Sequence, residues 1–168
     1  MIRVHVSIGS NVRPEEHVCR AAGLLREAFG EVAFSPVYRN PAVGFEGEDF
    51  LNLAAAFDTA LAPEALVARL HEIETACGRT RGPEKFAPRT LDIDLLLYGD
   101  LVMASDDLVL PRPEILQHAF VLRPLAELSP ELLHPVAGRS LQTLWEAFEG
   151  AREGLDPVRL DCLDPGAP

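Results

Sequence analysis

Three well-separated segments of the chain alternate apolar and polar residues with a period of two, and this pattern constrains the fold more than any other feature. In residues 2–8, Ile2, Val4, Val6 and Ile8 fall on one side and Arg3, His5 and Ser7 on the other. In residues 50–58, Leu51, Leu53, Ala55 and Phe57 share a side, leaving Phe50 and Asn52 opposite. In residues 91–98, Leu91, Ile93, Leu95 and Leu97 point one way, with Asp92 and Asp94 together on the other face. Such a period is that of a strand with one buried face. Residues 32–39 read as a further strand, in which Pro36 implies an edge or a bulge.

Helical spacing fills the gaps between these strands. Pro14 opens a helix with the stripe Val18, Ala21, Leu25 and Ala28, stopped by Gly30. Pro63 opens a second with Leu66, Leu70, Ile73 and Cys77, stopped by Gly78. The order β-α-β-β-α-β predicts an α+β, ferredoxin-like core: an antiparallel sheet with both helices on one face and the second face open. Past residue 100 the spacing predicts short strands at 101–103 and 107–110 and a helical stretch from Pro111-Arg112-Pro113 to about 128. A last amphipathic segment spans 140–149. Residues 1–150 read as a single domain with extra C-terminal helical segments, and 151–168 as an irregular tail.

Charge and cysteine content narrow the function. A net charge of −11 argues against general nucleic-acid or anionic-membrane binding. No apolar run reaches the ~20 residues of a membrane helix, and the amino terminus has no signal-peptide pattern. Cys19, Cys77 and Cys162, odd in number and widely spaced, argue against a disulfide framework or zinc knuckle and for a reducing cytoplasm. Against the acidic background, Arg79, Arg81, Lys85 and Arg89 cluster in the loop before the Asp92 strand, and Lys85 is the only lysine.

That cluster and the aspartate pair define the candidate chemistry. Alternate strand residues lie roughly 6–7 Å apart at their Cα atoms, so Asp92 and Asp94 can share divalent cations. Carboxylates that hold Mg²⁺ beside guanidinium groups that fork onto phosphate are the parts phosphoryl transfer needs. Phe50 beside Asn52 suits a flat heteroaromatic ligand, one stacking and the other bonding its edge. His71 and Glu74 are neighbours on the second helix. His5, His17 and His134 carry no pattern. Neither a P-loop, a dinucleotide fingerprint nor a nucleophile elbow occurs.

The run Lys85-Phe86-Ala87-Pro88-Arg89-Thr90-Leu91-Asp92-Ile93-Asp94-Leu95-Leu96 resembles the signature of the 6-hydroxymethyl-7,8-dihydropterin pyrophosphokinases of folate biosynthesis. Ile8-Gly9-Ser10-Asn11, Tyr38-Arg39-Asn40-Pro41, Asp49-Phe50-Leu51-Asn52, Glu74 before Gly78-Arg79, and Phe120-Val121-Leu122 with Pro124-Leu125 match the same family in order. The resemblance implies transfer of the β,γ-pyrophosphoryl group of ATP to the hydroxymethyl oxygen of the reduced pterin, releasing AMP. By the same resemblance, Asp92 and Asp94 hold two Mg²⁺ ions, Arg79 and Arg89 steady the transferred group, and Arg81 and Lys85 assist. Phe50 and Phe120 sandwich the pterin, Asn52 bonds its edge, and backbone from Pro41 through Val43 and Gly44 completes that pocket. His71, Glu74, Leu95, Arg112 and His118 fall near the nucleotide. The chain departs from the family in having Arg112 where it usually has His and His118 where it usually has Arg. No obligatory protein partner is implied.

Two rival readings exist. A metal-dependent nucleotidyltransferase also joins a Gly-Ser turn to an Asp-x-Asp strand, but there the motifs lie close together, whereas Ser10 and Asp92 are separated by most of the chain. A ferredoxin-like binding module for RNA would want exposed aromatics and a basic surface.

Overall fold

The computed structural model describes residues 1–41, 48–78, 91–152 and 154–164. The elements run β1 (Ile2–Ser10), α1 (Pro14–Phe29), β2 (Ala33–Phe34), β3 (Val37–Asn40), β4 (Phe50–Thr59), α2 (Pro63–Ala76) and β5 (Asp92–Tyr98). They continue with β6 (Met103–Ala104), β7 (Val109–Leu110), α3 (Ala119–Leu128), α4 (Leu141–Glu146) and β8 (Asp156–Val158). Short 3₁₀ turns lie at Pro113–Leu116 and Asp161–Leu163. The β-α-β-β-α-β order is thus present, with the second strand broken at Ser35-Pro36 into β2 and β3, both paired to β4. The short strands after residue 100 fall at β6 and β7, shifted from the expected positions.

The main sheet is antiparallel in the order β5-β1-β4-β3-β8, with β2 also on β4. Its inner face carries Val4, Val6, Ile8, Leu51, Leu53, Phe57, Ile93 and Leu95 against Val18, Ala21, Leu25, Leu66, Leu70 and Ile73 of α1 and α2, all buried. The alternation along each strand supplies one set and the stripes along each helix the other. Among the described residues no helix is long and apolar enough to cross a membrane.

Four expectations need correction. The second sheet face is open at one end only: Val121, Leu122 and Leu125 of α3 and Leu141 of α4 pack over Ala54, Leu96 and Leu97 at the other. Leu97 reaches that face, against its predicted side, because a β-bulge sets Leu95 opposite Val6 and Leu97 opposite His5. The tail is not loose throughout, since β8 adds to the β3 edge with Val158 opposite Val37. It returns to α1, where Cys162 forms a disulfide with Cys19 across 143 residues of sequence. The odd, widely spaced cysteines argue against a disulfide framework, yet two of them form this single bridge and the third is the buried thiol Cys77 at the end of α2.

Candidate active site

The open end of the second face is organised by β1. Gly9 pairs with Asn52 on β4 and with Asp92 on β5, and Ser7 pairs with Ala54 and Asp94. Strands lie ~4.8 Å apart, so Asp92 and Asn52 face the same side about 10 Å from each other across Gly9. A Cβ at Gly9 would come 2.9 Å from Asn52 Oδ1, so the missing side chain is what lets the amide lie over the strand. Asn52 Nδ2 donates to Asn40 Oδ1 on β3, which fixes the amide's orientation. Asn40 in turn donates to the carbonyl of the exposed rim residue Pro41 at 3.3 Å. Phe50 lies beside this group, opposite Asn40 and half-buried.

At the β5 edge a cavity of about 390 Å³ opens between α2 and the chain around Arg112. Asp92, Asp94, His71, Glu74 and Arg112 all line it. His71 is exposed, whereas Glu74 is turned inward with 1 % of its surface accessible. Glu74 Oε2 accepts the N–H of Ile93 at 2.7 Å, on the residue between the two aspartates. An edge strand presents unpaired N–H groups, and this carboxylate caps one of them. Helical spacing could have shown the inward turn, because Glu74 stands four residues after Leu70 on the apolar stripe. Arg112 enters from the opposite wall: its backbone N–H donates to Leu96 O at 3.0 Å, and its Nε lies 2.8 Å from Glu114 Oε2. Its Nη2 is 3.6 Å from Asp94 Oδ1.

Among the described residues no group of three His, Cys, Asp or Glu side chains could hold a metal ion. Asp92 and Asp94 nevertheless suit Mg²⁺, a hard cation held by one or two carboxylates with phosphate oxygens and water completing its shell.

The third part of the site comes from α3. Phe120 lies half-buried on its first turn, and His118, at the N-cap, stacks on the Phe120 ring with centroids 4.9 Å apart and planes at 16°. His118, which the resemblance places near the nucleotide, thus lies against the aromatic residue expected to stack on the pterin. Leu95, expected against adenine, is 2 % exposed and belongs to the inner core, touching the cavity only as part of its wall.

A tie from α3 to β3 carries no signal in the sequence. Tyr38 donates its hydroxyl to Glu127 at 2.5 Å, Arg123 lies 4.5 Å over the Tyr38 ring, and Arg123 also pairs with Glu127 at 3.0 Å. Burial foremost, then the bond to Glu127, pushes the Tyr38 phenol up to about 12. Tyr38 is part of a matched block, but nothing in the sequence showed that its partner is one helical turn past Arg123. The expected site residues Val43, Gly44, Arg79, Arg81, Lys85 and Arg89 lie outside the described residues.

A ferredoxin-like sheet with two aspartates facing a cavity on one edge strand, and an aromatic–amide pair two strands away, has side chains of the kinds that metal-assisted group transfer between a nucleotide and a planar second substrate uses. The sequence profile of 7,8-dihydro-6-hydroxymethylpterin-pyrophosphokinase (HPPK) matches residues 5–130, and the chain belongs to that family. It is an ATP-dependent transferase of folate biosynthesis that moves pyrophosphate to 6-hydroxymethyl-7,8-dihydropterin.

Similar proteins include the 2-amino-4-hydroxy-6-hydroxymethyldihydropteridine pyrophosphokinases of Pseudomonas aeruginosa, 40 % identical over 88 % of this chain and 94 % of that one, and of Methylorubrum extorquens, 37 % identical over 98 % and 100 %. Among solved structures, Plasmodium falciparum HPPK-DHPS A437G with STZ-DHP matches in fold at a TM-score of 0.72 and 12 % identity, over 88 % of this chain and 45 % of that one. The chain spans less than half the length of such HPPK-DHPS chains.

Proposed function

We propose that Asp92 and Asp94 hold two Mg²⁺ ions with ATP, and that Phe50, Asn52 and Phe120 hold the pterin on the far side of Gly9. The observation that carries this reading is the row Asp92–Gly9–Asn52, in which a carboxylate and a fixed amide face the same space from strands two apart. When bound, the metal neutralises and orients phosphate oxygens. Asn52, held by Asn40, presents its carbonyl oxygen to donors on the pterin edge, and Phe50 and Phe120 offer ring faces. Glu74 aligns the aspartates by fixing Ile93, while Arg112 and His71 line the nucleotide side.

Arg79 and Arg89 would stabilise charge on the migrating group, with Arg81 and Lys85 assisting; their support is sequence alone. His118 would stiffen Phe120, and Pro41, Val43 and Gly44 would supply the pocket's rim. Positioning and charge dominate such transfers, so no strong base is required.

We further propose that residues 1–150 act as one catalytic domain with 151–168 appended, without an obligatory protein partner, and that the enzyme works in the cytoplasm, where ATP is plentiful. The Cys19–Cys162 bond pulls against that location, but it joins α1 to the tail rather than forming part of the site. The test is to mix the protein with ATP, Mg²⁺ and the reduced pterin and to separate the nucleotides. AMP that forms only with pterin present, and is lost in Asp92→Ala, is the expected result. ADP in its place, or AMP unaffected by Asp92→Ala, would refute the assignment.

A further inference from the structure

The C-terminal tail runs along the strand that fixes the proposed pterin side of the site. Strand β3 is four residues long, and its last residue, Asn40, holds the Asn52 amide. The Asn40 side chain also donates to the carbonyl of Pro41, the next residue. The outer edge of β3 is covered by β8, with Val158 opposite Val37, Pro157 opposite Tyr38 and Asp156 opposite Arg39. Just before β8 the chain passes Pro41 itself, since a Cβ on Gly154 would lie 3.7 Å from Pro41 Cδ. The tail therefore backs both flanks of Asn40. Little within β8 would keep it there: it is three residues long, Asp156 and Pro157 are exposed, and Pro157 has no N–H to give to the ladder. What ties it down lies further on. Leu163 is buried in the core, Arg26 of α1 donates to the Cys162 carbonyl at 3.1 Å, and Cys162 is bonded to Cys19 of α1. Of these ties the disulfide is the covalent one, and both its cysteines are half-buried rather than sealed in the core.

We infer that the tail is a strap that positions Asn40 and Pro41 for the pterin, and that the Cys19–Cys162 bond is its latch, so that cleaving the bond weakens pterin binding and spares ATP. The inference rests on the proposed role of Asn52 in holding the pterin edge. Cleavage by a dithiol moves two electrons and two protons from the reductant to the protein, leaving two cysteine thiols and the reductant as a cyclic disulfide. Residues 154–164 then regain conformational freedom that the bond denied them, and the short β8 pairing has to hold against it. With β8 detached, β3 becomes an edge strand that frays toward Asn40, and the Asn40–Asn52 bond loses its backing. The aspartates ride on β5, separated from β3 by β1 and β4, so the nucleotide side feels little of this.

The experiment is steady-state kinetics on the full chain, with pterin and ATP varied in turn, on the oxidised protein and after treatment with a dithiol. One well-oriented hydrogen bond corresponds to about a factor of five in affinity. Reduction should therefore raise the pterin KM roughly three- to tenfold, leave the ATP KM within about twofold, and be reversed on reoxidation. The double variant Cys19→Ser with Cys162→Ser should match the reduced parent and show no response to the dithiol, which separates the latch from any effect at Cys77. Amide hydrogen exchange, read by mass spectrometry, should quicken in both 154–164 and 37–41 once the bond is broken. An unchanged pterin KM, or equal rises in both KM values, overturns the inference, as does a tail that exchanges at the same rate with the bond intact and broken. Failure of the underlying pterin reading looks different: Asn52→Ala would then leave the pterin KM of the oxidised protein unchanged, while exchange in the tail still responded to the dithiol.

Discussion

Gly9 shows how much of this site depends on an atom that is missing. Its neighbours on β4 and β5 are the amide and the carboxylate proposed for the two halves of the site, and the amide oxygen occupies the space a methyl group would need. Placing alanine there would leave the strand's own pairing intact and force the Asn52 amide off its bond to Asn40. One well-oriented neutral hydrogen bond is worth ~1 kcal/mol, or about a factor of five. Gly9→Ala should therefore raise the pterin KM about five- to tenfold, with a much smaller change in the ATP KM and a melting temperature within a few degrees of the parent. Steady-state kinetics with each substrate varied in turn decide it; equal increases in both KM values would mean that the whole sheet end had shifted.

At the level of elements, the edge strand β5 matters most, because both aspartates ride on it and, among the described residues, only β1 pairs with it in the sheet. Glu74 supplies its other side, reaching from α2 to the Ile93 N–H. Glu74→Ala would leave that buried donor without its carboxylate and open space beneath the strand, at a cost of about 2–3 kcal/mol. The expected result is a lower urea midpoint, together with weakened Mg·ATP binding that Glu74→Gln partly restores through its amide oxygen. If Mg·ATP binding is unaffected in Glu74→Ala, β5 does not depend on this bond. Such ties were only half legible in the sequence. The same-face placement of Asp92 with Asp94, and of Phe50 with Asn52, follows from a two-residue period and needs nothing else. The bulge at Leu96-Leu97 is an added backbone residue that composition does not mark. Strand β8 is three residues long and contains Pro157, too short for alternation to show. The Cys19–Cys162 bond and the Arg112–Asp94 pair depend on which distant segments meet, and residue counts are silent on that.

Across the whole molecule the sheet separates two jobs: α1 and α2 seal one face into the core, and α3 with α4 cover half of the other, leaving the site at the remaining end. His5 sits beneath that second layer, 3 % exposed, with Nε2 hydrogen-bonded to Ser129 Oγ at 2.9 Å where α3 ends. Burial, reinforced by the nearby Arg3 charge, lowers its pKa from 6.5 to about 4. The imidazole is thus neutral when folded, while in the unfolded chain it takes up a proton below pH 6.5. Between those values the unfolded state binds more protons, so stability is fully present above pH 6.5 and drains away as pH falls toward 4. The loss attributable to His5 is on the order of 3 kcal/mol. Urea unfolding at neutral pH and at several points down to the lower pKa should show it, with His5→Gln as the control that cannot take up the proton. The parent should lose more stability over this range than His5→Gln does, because the carboxylates that also titrate there are common to both. Parallel curves would show that the α3 layer does not rest on a neutral histidine, and that the acid sensitivity of the fold is set elsewhere.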